Sequence, residues 1–412
     1  MAELKKIAFV LDEFKLDSPA QHLLDRFLAG FHRDGKWTRP EDRLVAVSIP
    51  DEEWNAELDH RVKDFDLRRT KSLLEALQDA DGVVVVGKGV VGEANDVKLR
   101  FIVKSVPEGC PVFIHGAAGI EANSVGRLRV MAIERKIPIA SGTTVPVTWR
   151  LPEFYIERGM KLKRALAVVH GDFPAADFFG LEATMPITGR RAVEKIQHEV
   201  GPELRTKEKR WMVTGVAARY LREDIRSMIK EGGWEELLAA ALSRSNSPLG
   251  KSVEDGRTQD LSDLDAFLKL IDHGRSILIK EIDGYQTMIV VANGAVKDFT
   301  MAVEAADGKI VSAQIYRPQG PARSDFDRLA EVIEAMFETG KAPWPFIQSF
   351  HEVSMLGILR YQSQYWYQQP EPESVRAVAD EQHGGGASSQ AAPKTEKAAR
   401  RSRTQITPQR LN

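Results

Sequence analysis

The first 149 residues alternate short β-rich runs with helical segments, and this alternation constrains the fold more than any other feature of the sequence. Predicted strands lie at 6–11, 43–49, 82–87, 111–115 and 138–141. Predicted helices lie between them at 18–33, 69–80, 93–106 and 120–136. Strands that alternate with helices form a parallel sheet covered on both faces. Residues 1–149 are therefore predicted to form a doubly wound, Rossmann-like α/β domain of the dinucleotide type.

The pattern changes after Trp149, where strands and helices no longer alternate one by one. Predicted strands follow at 161–170, 210–217, 275–282, 285–293 and 310–316. Predicted helices lie at 177–191, 219–230, 233–243, 261–270, 323–339 and 346–364. Asp283-Gly284 separates two of the strands, and Asp-Gly favours the positive φ angles of a tight hairpin turn. Residues 150–366 are therefore predicted to form a mixed-sheet α+β domain that binds substrate or mediates oligomerisation.

The last segment, 367–412, has a different composition, rich in Pro, Glu, Ser, Gly and Ala. Its final thirty residues contain a single acid, Glu396, and several basic residues: Lys394, Lys397, Arg400, Arg401, Arg403 and Arg410. Such a composition buries too little apolar surface to offset the entropy of ordering. We predict a disordered basic tail, for which a solvated segment without a specific role is favoured over one that contacts nucleic acid.

Overall composition narrows the class of ligand. The chain has 43% hydrophobic residues, a formal net charge of −2 and one cysteine, Cys110. Without a whole-chain basic field, a nucleic-acid or membrane partner is not expected, and a small molecule is the better prediction. One cysteine excludes an intramolecular disulfide framework. Because the sequence has no signal-like or membrane-spanning apolar run, we expect a cytoplasmic protein. We also expect it to form a homo-oligomer.

A glycine-rich turn, Gly87-Lys88-Gly89-Val90-Val91-Gly92, follows the predicted strand at 82–87 and leads into the next predicted helix. Glycines in this context allow a tight turn and let backbone N–H groups approach a pyrophosphate at a helix N-terminus. We therefore predict that Gly87, Lys88, Gly89 and Gly92 bind a cofactor, NAD or NADP. An alternative stays open, in which the turn only closes a strand–helix connection.

The first predicted strand lacks such a turn, although the usual dinucleotide fingerprint follows that strand. Its loop contains Asp12, Glu13 and Asp17 and no glycine, and three acids would repel a pyrophosphate. Any cofactor is therefore expected to approach the backbone most closely at the later glycine turn.

Several segments resemble the Gfo/Idh/MocA family of sugar and polyol oxidoreductases. The helix and strand over 72–87 and the strand at 110–113 match elements near the family's cofactor, and residues 330–343 match its closing helix with the exit Thr339-Gly340-Lys341-Ala342-Pro343. Residues 141–150 and 170–182 resemble a poorly characterised bacterial branch of that family. The resemblance implies a two-domain nicotinamide-dependent oxidoreductase.

The chain also departs from the family's catalytic pattern. Where the family has a Glu-Lys-Pro motif beside the nicotinamide, this sequence has Ile114-His115-Gly116. Where the family has a proton-exchanging histidine and an acid three residues later, this sequence has Phe179 and Glu182. These departures and the missing first-strand glycines weigh against ordinary hydride chemistry.

Candidate catalytic residues are His115, His170 and Glu182. His115 ends the fourth predicted strand, at the sheet edge where open α/β folds bind ligands, and its near-neutral pKa suits acid–base chemistry. A histidine that caps the next helix is the alternative. His170, Asp172, Asp177 and Glu182 could instead hold a divalent metal, although a loop and helix cap rich in acids is the commoner explanation.

The crossover between the predicted domains supplies candidate substrate residues. Thr143, Thr144, Trp149 and Arg150 offer hydroxyls, an indole face and a guanidinium, which suit a sugar-like substrate. For Trp149, a place in the domain interface is an equally good interpretation. The favoured function is an oxidoreductase acting on a sugar or polyol. Two alternatives stay open: a non-redox sugar epimerase or lyase that lost dinucleotide binding and uses a metal, and a non-catalytic ligand-binding protein or partner subunit.

Overall fold

The structure is a computed structural model that describes residues 5–38, 43–65, 67–89, 96–153, 160–184, 213–247, 264–281, 283–318 and 323–367. The tail predicted at 367–412 lies outside these ranges from residue 368 onward. Contacts divide the chain into residues 1–363 and 364–412, and both sheets belong to the first unit. Of the helices in these ranges, none combines the length and apolar character that a membrane crossing requires.

The first sheet is a six-stranded parallel sheet. Its strands are β1 (Lys5–Leu11), β4 (Arg43–Ser48), β5 (Arg68–Arg69), β6 (Gly82–Val86), β7 (Val112–His115) and β8 (Ile139–Gly142). They are ordered β5-β4-β1-β6-β7-β8, and every pairing is parallel. All five residues of β6 are buried, as expected for a strand covered on both faces. Because the strands run in one direction, His115 and Gly142 end at the same edge of the sheet.

Five helices connect the strands of the first sheet. They are α1 (Pro19–Ala29), α2 (Ala56–Phe65), α3 (Leu73–Leu77), α4 (Asp96–Ser105) and α5 (Ala122–Glu134). A small antiparallel hairpin of β2 (Phe31–Arg33) and β3 (Lys36–Thr38) follows α1. The Ser18 side chain accepts a hydrogen bond from the Gln21 N–H, and Pro19 occupies the first turn, so α1 starts where the sequence predicts.

The second sheet is a seven-stranded mixed sheet. Its strands are β9 (Arg150–Leu151), β10 (Leu162–Val169), β11 (Val213–Arg219), β12 (Gly274–Glu281), β13 (Gln286–Ala292), β14 (Phe299–Ala305) and β15 (Ile310–Ile315). They are ordered β11-β12-β13-β10-β14-β15-β9, and only β10 and β13 pair in parallel. The hairpin of β12 and β13 forms as predicted, and Gly284 in its turn has a φ of 87°.

The remaining helices follow strands of the second sheet or close the chain. They are α6 (residues 175–184), α7 (Arg222–Glu231), α8 (Glu235–Leu242), α9 (Leu264–Leu270), α10 (Asp325–Thr339) and α11 (Ile347–Tyr367). Trp234, at the start of α8, is fully buried in a core that lies on one face of this sheet.

Helix α10 returns to the first sheet. Phe326, Ile333 and Phe337 share a buried cluster with residues of β1 and β6. A Cβ added to Gly82 in β6 would lie 2.8 Å from the Phe337 ring, so only glycine allows this close approach. The Arg26 side chain of α1 donates to Asp327 at 2.6 Å. A helix late in the sequence therefore completes the core of the N-terminal sheet.

The predicted fold class is confirmed: a Rossmann-like parallel sheet is followed by a mixed sheet. Several elements were not predicted: α2, the β2–β3 hairpin, the short edge strands β5 and β9, and β14, a central strand of the second sheet. The division at residues 149 and 150 stays a prediction. Predicted helical residues 185–191 and turn residues 90–92 lie outside the described ranges.

Candidate functional site

The loop that follows β8 forms one wall of the candidate site. It begins at the sheet edge with Gly142 and continues with Thr143 and Thr144, all of them buried. Each threonine holds a carboxylate from elsewhere in the chain: Thr143 binds Glu182, and Thr144 binds Asp325. The edge where parallel strands end, the usual ligand position in open α/β sheets, thus gathers polar groups from three elements.

Glu182, on α6, is completely buried and tightly held. The backbone N–H of Thr143 donates to its Oε1 at 2.6 Å, and the Thr143 hydroxyl donates to its Oε2. Burial raises the pKa of Glu182 to about 7, against the opposing effect of these hydrogen bonds. A Cβ on Gly142 would lie 2.9 Å from Oε1, so the glycine leaves the space that this carboxyl occupies. Glu182 can therefore take up and release a proton near neutral pH.

A second buried carboxyl, Glu352 of α11, is electrostatically linked to Glu182. Burial, followed by the like charge of Glu182, raises the pKa of Glu352 well above its usual range. Two carboxyls buried near each other resist ionising together. The two carboxyls therefore oppose each other's ionisation, and burial together with the charge of Glu182 favours the protonated form of Glu352.

His115, at the end of β7, is 5% exposed and stacks on Phe326 with ring centroids 5.9 Å apart. Burial and the charges of Arg323 and Arg317 lower its pKa to about 3. Its Nδ1 has no hydrogen-bond partner within the described part of the chain. The imidazole is therefore neutral and keeps one ring nitrogen for a further hydrogen bond, whereas the sequence suggested a group that titrates near pH 7.

Two arginines beside His115 come from the segment between β15 and α10. The Arg323 guanidinium donates to both carboxylate oxygens of Asp325, at 3.0 and 2.9 Å. Although burial alone would raise the pKa of Asp325, its bonds with Arg323 hold that pKa below the usual range. Burial and the neighbouring Arg323 lower the pKa of Arg317 to about 10.

A cavity of about 630 Å³ opens beside these arginines. Both arginines line it, together with His170 and with Asp17 from the loop after β1. The His170 ring lies edge-on to Phe299, with centroids 5.3 Å apart. Burial and then Arg317 lower the pKa of His170. Arg317 thus acts on His170, His115 and Glu182 alike, which links the three predicted catalytic residues electrostatically.

The residues of the metal alternative do not form a cluster in the described part of the chain. Among the described residues, which include His170, Asp172, Asp177 and Glu182, no group of three or more His, Cys, Asp or Glu side chains could hold a metal ion. Asp177 is instead buried against Arg275, whose Nε donates to it at 2.6 Å. Asp172 is exposed, and its carbonyl accepts the N–H of Ala176 in the turn that starts α6.

The predicted substrate residues have varied environments. The hydroxyls of Thr143 and Thr144 are engaged with carboxylates, as described, so both residues position other groups. Arg150 donates to the carbonyls of Thr148 and Val145 at 2.8 and 3.0 Å, and burial lowers its pKa to about 10. Trp149 is 43% exposed and contacts Tyr316 edge-on. Arg150 therefore holds the crossover in place, while Trp149 keeps a surface free for contact.

The glycine turn lies at the same sheet edge. Gly89 has a φ of 71°, and a Cβ there would meet nothing within 4 Å. The Lys88 ammonium pairs with Glu53 at 2.9 Å on the surface, and Gly87 lies close to the carboxylate of Asp12. Gly92 lies outside the described ranges.

The loop after β1 is occupied by its own acids. Asp12 pairs with Lys98 and Glu13 pairs with Lys15. Asp17, which has a φ of 60°, pairs with His22 at 2.9 Å. Ser18 caps α1, so the place where a pyrophosphate usually meets the first helix holds carboxylates and a side-chain cap instead.

Sequence reasoning missed four residues of this site: Arg317, Arg323, Asp325 and Glu352. Asp325 lies at the start of the predicted helix 323–339, where an acid is expected as a helix-end group. Glu352 lies in a predicted helix whose buried face could have drawn attention to an acid. Arg317 and Arg323 carry no local signal, because their importance arises only from the approach of distant strands.

No protein-family model matches this sequence, and no curated protein matches it. Solved structures do match. GenD2 from gentamicin A biosynthesis, solved in complex with NAD, is 14% identical and aligns over 86% of this chain and 93% of its own, with a TM-score of 0.50. An apo scyllo-inositol dehydrogenase from Lactobacillus casei is 10% identical over 86% and 95% of the two chains, with a TM-score of 0.51.

A third structure, the dehydrogenase MviM from Clostridium difficile, is 9% identical over 87% of this chain and 99% of its own, with a TM-score of 0.50. The three alignments cover 86–87% of this chain and 93–99% of the neighbours. The resemblance found in the sequence is thereby confirmed at the level of the fold: this chain has the fold of the Gfo/Idh/MocA-type oxidoreductases.

Proposed function

We propose that this chain is an oxidoreductase that acts on a sugar- or polyol-like substrate with NAD or NADP, and that Glu182 exchanges the proton of the reacting hydroxyl. The observation that carries the proposal is the state of Glu182: a buried carboxyl with a pKa of about 7 at the ligand-binding edge of the sheet. General acid–base groups work best when their pKa is close to the working pH. The fold is shared with a dehydrogenase, and the oxidation of a hydroxyl by a dehydrogenase requires a group that accepts its proton.

Oxidation of an alcohol releases a hydride and a proton. A bound nicotinamide would supply the hydride acceptor. The Glu182 carboxylate would take up the proton of the hydroxyl and, in the reverse reaction, return it to the carbonyl oxygen. The two hydrogen bonds from Thr143 fix the carboxylate in one orientation, so its proton-accepting oxygen does not need to be positioned anew in each cycle.

His115 has a different role in this proposal. With a pKa of about 3 it stays neutral, so it does not carry the net proton. Its Nδ1, which has no partner among the described residues, and the stacking on Phe326 suit a neutral hydrogen bond to a substrate hydroxyl or carbonyl. His115 would therefore orient the reacting group, and Glu182 would exchange its proton.

The cofactor fits one loop of the sheet edge and not the other. The loop after β1 does not fit a pyrophosphate, because Asp12, Glu13 and Asp17 occupy it and would repel the negative charge. The glycine turn fits better, because a Cβ at Gly89 would meet nothing within 4 Å and the turn carries a surface lysine, Lys88, whose ammonium pairs with Glu53 in this structure. Gly87, Lys88 and Gly89 would hold the cofactor, together with Gly92 as the sequence predicts.

Calorimetric titration of the purified chain with NAD and with NADP tests this proposal. We expect binding of at least one, and we expect Gly89→Val to abolish it, because valine strains the positive φ and covers the turn. Gly109→Val is the matched control: Gly109 has a φ of 80° and equally open surroundings, but it precedes β7 at the opposite sheet edge. Unchanged binding in a folded Gly89→Val variant would contradict the cofactor assignment.

A second candidate function is non-redox acid–base chemistry on a similar substrate, as in an epimerase or lyase. The acids in the loop after β1 favour it specifically, since they stand where the usual cofactor contact lies. Glu182 would then abstract a proton from carbon, with His115 hydrogen-bonded to the adjacent carbonyl. If the wild-type chain binds neither nucleotide, the oxidoreductase proposal fails and this candidate takes its place.

A further inference from the structure

We propose that the cavity lined by Arg317 binds the anionic group of the substrate, a carboxylate or a phosphate, and that Arg317 is the residue that recognises it. The assignment of this anion to the substrate rests on the proposed function. The anion site itself depends only on the geometry and charges of the cavity, so it can be tested without a nicotinamide cofactor.

Arg317 is prepared for such a ligand by its surroundings. Its guanidinium carbon lies 4.4 Å from the ring centroid of Phe179 and 4.6 Å from that of Phe299, so two aromatic faces hold the group in place. Its Nε is shielded from solvent and has no hydrogen-bond partner in the described part of the chain. A buried donor without a partner is costly, and a bound carboxylate or phosphate would satisfy it.

Three of the other charged side chains that line the cavity, Arg323, Asp298 and Asp17, have partners of their own. Arg323 forms its two-pronged pair with Asp325. Asp298 accepts hydrogen bonds from the side chains of Ser245, Ser247 and Gln314 and from the Asn246 N–H, at 2.6, 3.1, 2.7 and 2.6 Å respectively.

The third acid near the cavity, Asp17, accepts a hydrogen bond from His22. Lys297, exposed at the rim, adds a further positive charge. Arg317 also lines the cavity, and its Nε has no hydrogen-bond partner within the described part of the chain.

The size and lining of the cavity indicate a sugar acid or a sugar phosphate rather than a bare ion. A volume of about 630 Å³ lies within the range of small-ligand pockets. Asn246, Ser247 and Gln314 place amide and hydroxyl groups on its wall, as hydroxyl recognition requires. Arg317, which lines the cavity, also acts electrostatically on Glu182 and lowers its pKa, against the larger effect of burial.

The test is calorimetric titration of the full-length chain, without nucleotide, with D-gluconate, D-glucose 6-phosphate and D-glucose. We expect an anionic ligand to bind about tenfold or more tightly than glucose, and Arg317→Gln to lose most of that preference. Preference for gluconate identifies a carboxylate, and preference for glucose 6-phosphate identifies a phosphate. Arg226→Gln is the control, because Arg226 pairs with Asp265 on the surface and does not line the cavity.

Arg317→Lys keeps the charge and is used together with Arg317→Gln, in case the neutral variant does not fold. It should bind the anion more weakly than wild type, because lysine lacks the planar fork. Equal affinity for glucose and the two anions would overturn the proposal, as would unchanged anion affinity in either folded Arg317 variant. Loss of nicotinamide binding in the earlier experiment would leave this result unaffected, so the two proposals fail separately.

Discussion

The buried carboxyl of Glu182 should make the stability of this chain depend on pH in a way that one substitution removes. Its pKa is about 7 in the folded chain and 4.5 for a free glutamate side chain. Between these values the folded state binds the proton and the unfolded state does not. The stabilisation from this group is therefore fully present below pH 4.5 and is lost as the pH rises toward 7.

The size of the effect follows from the two pKa values. For each unit of rising pH in which only the folded state holds the proton, the free energy of unfolding falls by about 1.4 kcal/mol. The interval from 4.5 to about 7 is therefore worth about 3 kcal/mol. Glu182→Gln keeps an acceptor for the Thr143 N–H and never ionises, so this variant should lack the part of the loss that Glu182 causes, while the raised pKa of Glu352 still contributes its own.

Urea unfolding of wild type and Glu182→Gln at intervals from about pH 5 to about pH 8 measures the difference. We expect the free energy of unfolding of the variant, minus that of wild type, to increase as the pH rises. Glu338→Gln, at an exposed position on α10, is the control and should follow wild type. A difference between Glu182→Gln and wild type that stays constant across the range, or that slopes in the opposite direction, would refute the reasoning.

Two further predictions concern structural roles. Arg275→Met leaves the Asp177 carboxylate buried and unpaired, so the free energy of unfolding should fall by about 3–5 kcal/mol in urea. Arg226→Gln, which removes the exposed ion pair with Asp265, should lower the free energy of unfolding by less than about 1 kcal/mol. Removal of residues 368–412 should leave the melting temperature within error, because their composition cannot support a packed core; a large drop would show that the tail docks.

Much of the fold could be predicted because its signals are local. The apolar run at 82–86 and the cap at Ser18 each specify an element within a few residues, and both form. Helix α2 was missed because only Leu58 and Arg61 of it are buried, which leaves a weak apolar stripe. Strand β14 was missed because all seven of its residues are buried, so no alternation marks it.

The candidate site could be predicted only where it lies at strand ends. His115 and Glu182 were found from position and from the family resemblance. Asp325 could not be found, because its partner Thr144 is 181 residues earlier in the chain. The neutral state of His115 could not be predicted from the sequence either, because it arises from burial and from the charges of arginines in a distant segment.

The return of α10 to the first sheet affects how the chain can fold during synthesis. The last strand of that sheet ends at Gly142, yet the helix that covers β1 and β6 ends beyond Phe337. The ribosome adds about 195 residues in between, which takes roughly 10 to 40 s at about 5–20 residues per second. Throughout that interval the nascent N-terminal half exposes the apolar face that Phe326, Ile333 and Phe337 will cover. The residues of the first sheet are thus continuous in sequence, but their hydrophobic core is complete only when α10 packs against it. We expect the nascent chain to bind a chaperone during this interval.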